Sequence, residues 1–363
     1  MKIIVAGGGT GGHLFPCLAV AERLTDLGHE VLFVGSSFGI ESKKRELLPS
    51  RSVFIGSKGV RGKGLKTFLN SFSLLKSTFQ SFSVISSFKP DRVVLFGGYV
   101  SFPLGIASAL KGVPLILQEQ NSLPGKTNLI LSRFAEKVLV GYRGCSRFFG
   151  AKAVFTGNPL RKEVVAALNG GERLRREVLR RLSLSEKKKT LLVIGGSQGA
   201  LWINEAMKRV APKLLPFKER LQVVHVAGEG KAGGLEEAYK RVGVECRVFD
   251  FYPKVWELYL IADAAVSRAG ALAVSEISLF GIPTLFIPFP YAVDDHQFLN
   301  VKELHEAGGC ILRRQEELTP MEMLKILELL LFDIIKAKEI SEKMKEFAVP
   351  DSTERVVREI INE

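Results

Sequence analysis

Residues 3–13 read IIVAGGGTGGH, and residues 191–200 read LLVIGGSQGA. In both segments four apolar residues run directly into a glycine-rich turn, and a helical pattern follows the turn. Glycine allows backbone N–H groups to approach an anion closely, and the start of the following helix adds a favourable dipole for negative charge. Two such segments, about half a chain apart, predict two halves that each handle a nucleotide or a phosphate group.

Short apolar runs alternate with longer helical patterns through both halves of the chain. This alternation is typical of parallel sheets with helices on both faces, so we expect an α/β fold with two doubly wound, Rossmann-like domains. The predicted strands are residues 3–6, 31–34, 93–96, 115–117, 138–140 and 153–155 in the first half, and 191–194, 222–226, 247–249, 264–266, 284–287 and 310–312 in the second.

With 363 residues, the chain exceeds the length at which a single hydrophobic core usually stops growing. The turn at residues 157–159, which reads GNP, follows the sixth run and precedes a charged helical stretch, so it marks the join. We therefore expect a first domain at residues 1–158, a second at 159–349, and a final helix at 350–363 that packs back on the first. Ligands of such sheets bind outside the carboxyl ends of the strands, so two domains facing a cleft would bring both glycine turns to it.

The net charge of +13 is concentrated in the first part of the sequence. Residues 1–160 carry 20 Lys and Arg against 8 Asp and Glu, a balance of +12, which leaves +1 for residues 161–363. Such a basic surface serves nucleic acid, an anionic membrane face or a phosphorylated substrate, and charge alone does not choose among them. No apolar run approaches the roughly 20 residues of a membrane-spanning helix, and the first run meets glycine too early for a signal peptide, so we expect a cytoplasmic protein.

The cysteines and histidines are not spaced like metal ligands. Cys17, Cys145, Cys246 and Cys310 lie far apart without a CxxC pair, and the five histidines show no ligand spacing with them or with one another. The aspartate pair at residues 294–295 has no third ligand at a usual spacing. We therefore predict free thiols, no structural metal and a solvated aspartate pair.

The first glycine turn formally matches the dinucleotide fingerprint, with Gly7, Gly9 and Gly12 in the G-x-G-x-x-G pattern. A dinucleotide site usually has an acidic residue at the end of the second strand, where it binds the ribose. Here the second run continues into residues 35–37, which read GSS, and the next acid is Glu41. The pattern therefore disfavours a nicotinamide or flavin enzyme.

Polar groups follow several predicted strands of the first half. His13 directly follows the first glycine turn, where a neutral imidazole can take a proton from a hydroxyl group or can simply pack the turn. Gly97 and Gly98 form a further turn of this kind, or only a tight connection between a strand and a helix. Asn121 follows the next run and can reach the same crevice, unless its amide only forms a turn.

The second half offers groups suited to a ribose and to sugar hydroxyls. Glu276 lies in the second turn of the helix after the fourth run, where its carboxylate can accept both ribose hydroxyls or can simply complement the helix dipole. His296 and Gln297 follow the fifth run with imidazole and amide groups. These side chains supply the hydrogen bonds that a sugar needs.

Residues 47–90 hold seven Lys and Arg and six Phe but no Asp or Glu. Within them Phe68, Phe72, Leu75, Phe79 and Phe82 recur at steps of four and three, so they form one stripe along a helix. Most such stripes belong to a core. The missing acids and the many phenylalanines give support to a second interpretation, a partly exposed stripe that dips into an anionic bilayer, and both interpretations can hold for different residues of one helix.

Seven motifs, taken together and in this order, resemble the MurG family of bacterial glycosyltransferases. They are residues 8–13 (GGTGGH), 97–101 (GGYVS), 120–121 (QN), 157–161 (GNPLR), 195–200 (GGSQGA), 268–276 (RAGALAVSE) and 296–300 (HQFLN). The resemblance spans nearly the whole chain and implies the two-domain GT-B architecture. It also implies an inverting transfer of N-acetylglucosamine (GlcNAc) from UDP-GlcNAc to the 4-hydroxyl of N-acetylmuramic acid in lipid I, which yields lipid II for peptidoglycan synthesis.

The resemblance implies a donor site mainly on the second domain. Its residues would be Arg161, Ser197 and Gln198 for the diphosphate, the backbone near Phe251 and Tyr252 for the uracil, Glu276 for the ribose, and Ala271, His296 and Gln297 for the sugar, with Leu272 also in the site. The first domain would receive lipid I. The acceptor pyrophosphate would face the turns that contain Thr10, Gly11, Gly12, Gly97 and Gly98.

The resemblance makes His13 the candidate base that deprotonates the muramyl hydroxyl, with Tyr99 and Asn121 as positioning groups. That hydroxyl would attack the anomeric carbon from the face opposite UDP and so invert α to β. The helix dipole, backbone amides and Arg161 can stabilise the departing UDP, so we expect neither a metal nor a cofactor.

The acceptor also gives the basic, phenylalanine-rich stretch a role, because the enzyme must meet a polyprenyl pyrophosphate at the membrane. We expect peripheral binding to the anionic cytoplasmic face of the inner membrane, with UDP-GlcNAc and lipid I as partners and no nucleic acid. A UDP-sugar epimerase of the same fold, which would need no lipid-facing surface, is the second interpretation. A non-catalytic nucleotide-binding protein is the third.

Overall fold

Two compact units make up the chain in this computed structural model. Unit 1 comprises Met1–Arg161 and Val349–Glu363, and unit 2 comprises Lys162–Ala348. The structure describes residues 1–42, 45, 48–57, 65–196 and 199–362, and for residues 40 and 65–73 it describes the backbone alone.

Within the described residues, unit 1 is built on a seven-stranded parallel sheet of order β3-β2-β1-β4-β5-β6-β7. The strands are β1 Lys2–Ala6, β2 Glu30–Ser36, β3 Ser52–Ile55, β4 Arg92–Leu95, β5 Leu115–Glu119, β6 Lys137–Val140 and β7 Ala153–Phe155. β3 is absent from the predicted strands. Three of its four residues are only partly buried, and it lies inside the basic stretch whose pattern indicates a helix.

Alternate residues of β1 face two separate cores. The helices that follow the first strands are α1 Gly11–Asp26, α2 Leu65–Phe88, α3 Ser101–Leu110 and α4 Lys126–Leu131. Ile3 and Val5 pack in the core that contains α1, and Ile4 and Ala6 pack in the core that contains α2, α3 and α4. Because side chains alternate across a strand, helices on both faces bury the whole strand, which explains its continuous apolar sequence.

Unit 2 repeats this plan on a six-stranded parallel sheet, counted over the described residues, of order β10-β9-β8-β11-β12-β13. The strands are β8 Lys189–Ile194, β9 Leu221–Val226, β10 Glu245–Phe249, β11 Ala264–Ser267, β12 Thr284–Phe286 and β13 Ile311–Leu312. The helices are α5 Lys162–Asn169, α6 Gly171–Arg181, α7 Leu201–Val210, α8 Leu235–Lys240, α9 Val255–Ile261, α10 Ala271–Phe280, α11 His296–Glu306, α12 Pro320–Phe332 and α13 Ile334–Glu346. The two sheets confirm the predicted α/β class with two doubly wound units.

The last helix, α14 Ser352–Ile361, belongs to unit 1. Val356, Val357 and Ile360 are buried in the core that contains α1, and Arg23 of α1 forms an ion pair with Glu354 at 2.8 Å. Among the helices that the structure describes, none combines the length and the apolar character needed to cross a bilayer.

Both sheets change direction beside their first strand. In unit 1 the chain moves outward from β1 to β3 and then returns to β4 on the other side of β1, and in unit 2 it does the same around β8 and β11. The turns after the two central strands therefore diverge and leave a crevice at the carboxyl edge of the sheet, where such folds bind ligands. In each unit a glycine-rich turn borders this crevice.

Candidate functional site

The two glycine turns of unit 1 lie against each other. Gly98 has a φ of +84°, and a Cβ atom there would lie 2.3 Å from the carbonyl oxygen of Gly8. Gly97 has a φ of +95°, and its Cβ would lie 2.7 Å from Nδ1 of His13. Side chains at these positions would collide with the first turn or with the imidazole, so the glycines bring the turns after β1 and β4 together around His13.

His13 lies in the first turn of α1 and is half-buried. Its Nδ1 lies 2.8 Å from Oε1 of Gln120, the residue that directly follows β5. The turns after β1, β4 and β5 thus meet at this imidazole, as expected from their places at one edge of the sheet. Gln120 is not among the predicted site residues, although it lies next to Asn121.

Glu41 is a buried carboxylate beneath the first glycine turn. It accepts hydrogen bonds from the backbone N–H of Gly9 at 2.8 Å and of Ser36 at 2.9 Å. A Cβ at Gly8 would lie 2.1 Å from Oε1 of Glu41, so the carboxylate fills the space that a side chain would need. The N–H of Gly9 therefore points at a protein carboxylate, whereas the sequence predicts that the turn presents its amides to an anion. In the sequence, the only indication of this buried carboxylate is a single acidic residue shortly after the second strand.

Asn121 and Tyr99 differ in how firmly they are held. Asn121 donates from its backbone N–H and from Nδ2 to Oε1 of Glu119, at 2.9 and 3.2 Å. Glu119 is buried and also accepts from Nδ2 of Asn128 at 2.8 Å, so it fixes the turn that carries Asn121. The Tyr99 side chain is exposed, while its carbonyl accepts a hydrogen bond from the hydroxyl of Ser57 at 2.5 Å.

Arg161 is the last residue of the first segment of unit 1, whereas the other predicted donor residues belong to unit 2. Its guanidinium carbon lies 4.8 Å from the centroid of the Phe15 ring, one of the first residues of α1. This stacking places a permanent positive charge beside the N-terminal turns of α1.

The glycine turn of unit 2 closes tightly between β8 and α7. The N–H of Gly199 donates to the carbonyl of Gly196 at 2.9 Å, and both residues have positive φ. A Cβ at Gly199 would lie 2.2 Å from the carbonyl oxygen of Ala227, so the turn rests on the backbone that follows β9. Ser197 and Gln198, which are predicted donor residues, lie outside the described residues.

A buried polar network supports the backbone on which this turn rests. Nδ2 of Asn204 donates to the carbonyls of Ala227 and Lys231, at 3.1 and 3.2 Å. Oδ1 of Asn204 therefore faces Nε2 of His225 at 3.0 Å, and the Tyr239 hydroxyl lies 3.0 Å from Nδ1. Burial lowers the pKa of His225 to about 3, so the imidazole is neutral, donates through Nε2 and accepts through Nδ1.

The residues predicted for ribose and sugar lie at two neighbouring helix starts. Glu276 is buried in α10, which begins at Ala271, and its Oε2 accepts a hydrogen bond from the Tyr259 hydroxyl at 3.1 Å. His296 and Gln297 begin α11.

Leu272 follows Ala271 in the first turn of α10 and is partly exposed. Nδ1 of His296 donates to the carbonyl of Val293 at 2.9 Å, and Oε1 of Gln297 accepts from the N–H of Phe289 at 2.9 Å. These two bonds engage neither Nε2 of the His296 imidazole nor the Nε2–H₂ group of the Gln297 amide, so both groups can bond a sugar.

The two residues predicted for the uracil differ in how closely the rest of the protein holds their side chains. Phe251 is exposed, with half of its surface accessible. The Tyr252 ring packs at a tilt against Phe249, with 4.9 Å between the ring centroids, and its hydroxyl donates to Oε2 of Glu257 at 2.7 Å. Glu257 also accepts from Arg181, so the Tyr252 hydroxyl belongs to a local charged network.

Arg268 is a buried cation that sequence patterns leave unassigned. It donates to the carbonyls of Ile287 and Pro288 at 3.1 and 2.8 Å and to Oε1 of Gln315 at 2.7 Å. Burial lowers its pKa to about 10. The guanidinium therefore braces the segment after β12, which carries Phe289 towards Gln297.

The spacing of the two aspartates predicts a solvated pair, but one of them has a charged partner within the protein. Asp295 forms an ion pair with Arg314 at 2.5 Å, and both Asp294 and Asp295 have a φ of +52°. Across the described residues, no group of three His, Cys, Asp or Glu side chains could hold a metal ion. The four cysteines are free and buried.

Both units match one family of glycosyltransferases. Residues 3–140 match the glycosyltransferase family 28 N-terminal domain, and residues 190–356 match the family 28 C-terminal domain. Curated relatives carry the name UDP-N-acetylglucosamine–N-acetylmuramyl-(pentapeptide) pyrophosphoryl-undecaprenol N-acetylglucosamine transferase. One from Sulfurihydrogenibium sp. is 36% identical over all of this chain and 98% of its own length, and one from Hahella chejuensis is 39% identical over 98% and 96%.

One solved structure gives the same assignment, and a second shows the fold. The crystal structure of Acinetobacter baumannii MurG has a TM-score of 0.78 at 30% identity, over all of this chain and 99% of that chain. UDP-GlcNAc 2-epimerase from Neisseria meningitidis bound to UDP-GlcNAc has a TM-score of 0.68 at 13% identity over the full length of both chains, which shows a shared fold alone. This chain therefore belongs to the MurG family of N-acetylglucosamine transferases, within glycosyltransferase family 28.

Proposed function

We propose that this chain transfers GlcNAc from UDP-GlcNAc to the 4-hydroxyl of the N-acetylmuramyl group of lipid I, which gives lipid II. Membership of the transferase family over the full chain supports the reaction. The single structural observation that carries the mechanism is the imidazole of His13, which lies where the turns after β1, β4 and β5 converge.

His13 is the proposed general base. Its Nδ1 is engaged by Gln120, so Nε2 is the nitrogen that would receive the proton of the muramyl 4-hydroxyl. As the proton leaves, the oxygen would attack the anomeric carbon from the face opposite UDP, and the configuration would change from α to β. Tyr99 and Asn121 would orient the acceptor, and the turns that contain Thr10, Gly11, Gly12, Gly97 and Gly98 would face its pyrophosphate.

Unit 2 is proposed to bind the donor. Glu276 would accept hydrogen bonds from the ribose hydroxyls, and Ala271, Leu272, His296 and Gln297 would contact the sugar. The backbone near Phe251 and Tyr252 would lie against the uracil. The helix dipole at the start of α7, with Ser197, Gln198 and Arg161, would stabilise the negative charge that develops on the departing UDP.

The direct test follows radiolabelled GlcNAc from UDP-GlcNAc to a short-chain lipid I analogue, with and without a chelator. We expect label in the lipid fraction under both conditions, and we expect His13→Ala to abolish turnover while UDP-GlcNAc still binds. A His13→Ala protein that retains turnover would refute the base assignment. An epimerised UDP-sugar in place of labelled lipid would refute the transferase itself.

We also propose that α2 and the end of α3 contact the anionic cytoplasmic face of the membrane. Leu75 and Phe79 of α2 are 60% and 73% exposed, and Leu110 at the end of α3 is 71% exposed. Lys76 and Lys111 are exposed next to them, which suits an anionic surface. Phe82 is half-buried and packs against the core, so it belongs with the core rather than with this surface. The side chains of Phe68 and Phe72 lie outside the described residues.

Vesicle sedimentation tests this surface. The double change Leu75→Ser and Phe79→Ser should lower binding to vesicles of anionic phospholipid at least about tenfold, since each buried apolar side chain contributes roughly 1.5–3 kcal/mol. The matched control is Ile334→Ser with Ile335→Ser, because these residues of unit 2 are 79% and 74% exposed. Equal losses in the two proteins would contradict the proposed surface.

A further inference from the structure

Three buried side-chain amides form a chain of hydrogen bonds that ends at His13. Gln118 lies on β5, Gln120 directly after it, and Asn158 in the turn after β7, and all three are buried. Nε2 of Gln118 donates to Oδ1 of Asn158 at 3.3 Å, and Nδ2 of Asn158 donates to the carbonyl oxygen of Gln120 at 3.0 Å. The amides therefore hold one another in place around the turn that meets the imidazole.

The orientation of the Gln120 side chain follows from its neighbours. Its Nε2 lies 2.7 Å from the carbonyl oxygen of Phe96 and also within hydrogen-bond distance of Oε1 of Gln118. Two acceptors require a donor between them, so the NH₂ group faces them and Oε1 faces His13. A reversed amide would place oxygen against two oxygens and leave buried groups unpaired, which costs about 1–3 kcal/mol for each group.

This orientation decides which nitrogen of His13 carries the proton. An amide oxygen only accepts hydrogen bonds, so Nδ1 of His13, 2.8 Å away, must donate. A neutral imidazole has one N–H, and therefore Nε2 keeps its lone pair. Gly97 adds a steric restraint, because a Cβ there would lie 2.7 Å from the same Nδ1.

We propose that Gln120 is a positioning residue that holds His13 in the Nδ1–H tautomer and so directs the basic Nε2 lone pair at the acceptor hydroxyl. This inference rests on the proposed function. An amide is suited to the role because it selects the tautomer without adding a negative charge. A carboxylate in its place would stabilise the imidazolium and favour protonation of the base before the substrate arrives.

The tautomer is measurable without substrate, by ¹⁵N chemical shifts of histidine-labelled protein at about pH 8. Protonated and unprotonated ring nitrogens have well separated shifts, and comparison with His13→Ala identifies the His13 signals. We expect Nδ1 to be protonated and Nε2 to be unprotonated in the wild-type protein. The opposite pattern would overturn the proposal, and this measurement requires no Gln120 variant to fold.

The matched variants are Gln120→Met and Gln222→Met. Gln222 is also a buried glutamine, which bonds Ser185 and Thr190 in unit 2, so its loss controls for the loss of buried hydrogen bonds. Gln120→Met should shift His13 towards the Nε2–H tautomer and lower kcat at least about tenfold, with both KM values within about threefold, because a positioned base contributes roughly 10²–10⁴ in rate. Gln222→Met should change neither quantity.

An unchanged tautomer and an unchanged kcat in Gln120→Met would refute the role of Gln120 while leaving the transferase reaction intact. In contrast, a wild-type protein that transfers no GlcNAc would refute the proposed function, and the tautomer would still be readable from the spectrum. The two failures are therefore distinguishable.

Discussion

His225 is expected to make unit 2 sensitive to acid. Its pKa is lowered from 6.5 to about 3 by burial, so between these values the unfolded chain binds more protons than the folded protein. The free energy of unfolding must then fall as the pH is lowered from about 6.5 towards 3, and this contribution is fully present above about 6.5. Since pH 5 lies about 1.5 units below the pKa of 6.5 in the unfolded chain, the free energy of unfolding should be about 2 kcal/mol lower there than at neutral pH.

Urea denaturation at pH 7.5 and pH 5 measures this loss. The two tryptophans, Trp202 and Trp256, both lie in unit 2, so their fluorescence follows the unit that contains His225. The variant His225→Gln retains an amide for Asn204 but has no titratable ring. Carboxylates elsewhere contribute equally to both proteins, so the wild type should lose about 2 kcal/mol more than the variant between these pH values.

The control separates acid sensitivity from general weakening. Gln222→Met removes buried hydrogen bonds in the same unit without removing a titratable group, so it should lower the free energy of unfolding yet keep the wild-type pH dependence. The reasoning is refuted if wild type and His225→Gln lose the same free energy between pH 7.5 and pH 5. That result would mean that His225 titrates in the folded protein as it does in the unfolded chain.

Three other substitutions test separate parts of the site. Gly98→Ala should lower the free energy of unfolding of unit 1, measured by hydrogen exchange, by about 1–3 kcal/mol more than Gly112→Ala does. Both glycines have positive φ, but only at Gly98 would a Cβ atom lie within 4 Å of backbone atoms. Equal costs would contradict the packing of the turns. Glu276→Gln should weaken UDP binding about 10- to 100-fold in calorimetry, since hydrogen bonds to a charged group contribute roughly 1.5–3 kcal/mol, and unchanged affinity would remove it from the ribose site. Glu41→Gln would place an amide NH₂ group against a backbone N–H and so disturb the first glycine turn. We expect the KM for the acceptor to rise while the KM for UDP-GlcNAc stays constant. Equal rises in both KM values would assign Glu41 a role beyond the first turn.

Most of the strands predicted from the sequence are buried on both faces, because burial leaves a continuous apolar run. β1 is such a strand, and the turn after it is marked by glycines that the close packing requires. β3 is missing from the predicted strands because its short apolar run, residues 53–55, lies inside the basic stretch whose pattern indicates a helix, and three of its four residues are only partly buried. An edge position alone does not hide a strand, because the runs of the edge strands β7 and β10 are among those predicted.

The candidate site divides in a similar way. His13 and Glu276, which lie in the first two turns of the helices that follow β1 and β11, are proposed from their position in the sequence alone. Glu41 bonds a residue that lies 32 positions earlier in the chain, and Gln120 bonds one that lies 107 positions earlier. No local sequence pattern indicates contacts over such separations. The pairing of Asp295 with Arg314 likewise depends on how the chain after β13 returns, and not on the spacing of the aspartates.

The return of α14 to unit 1 has a consequence for how the protein is made. Unit 2 is one continuous segment, whereas unit 1 is closed only by residues at the far end of the chain. A ribosome that emits the chain from its first residue would release all of unit 2 before Val356, Val357 and Ile360 could cover the apolar side of α1. The domain that is synthesised first would therefore be completed last, and during that interval it would present an apolar surface to chaperones.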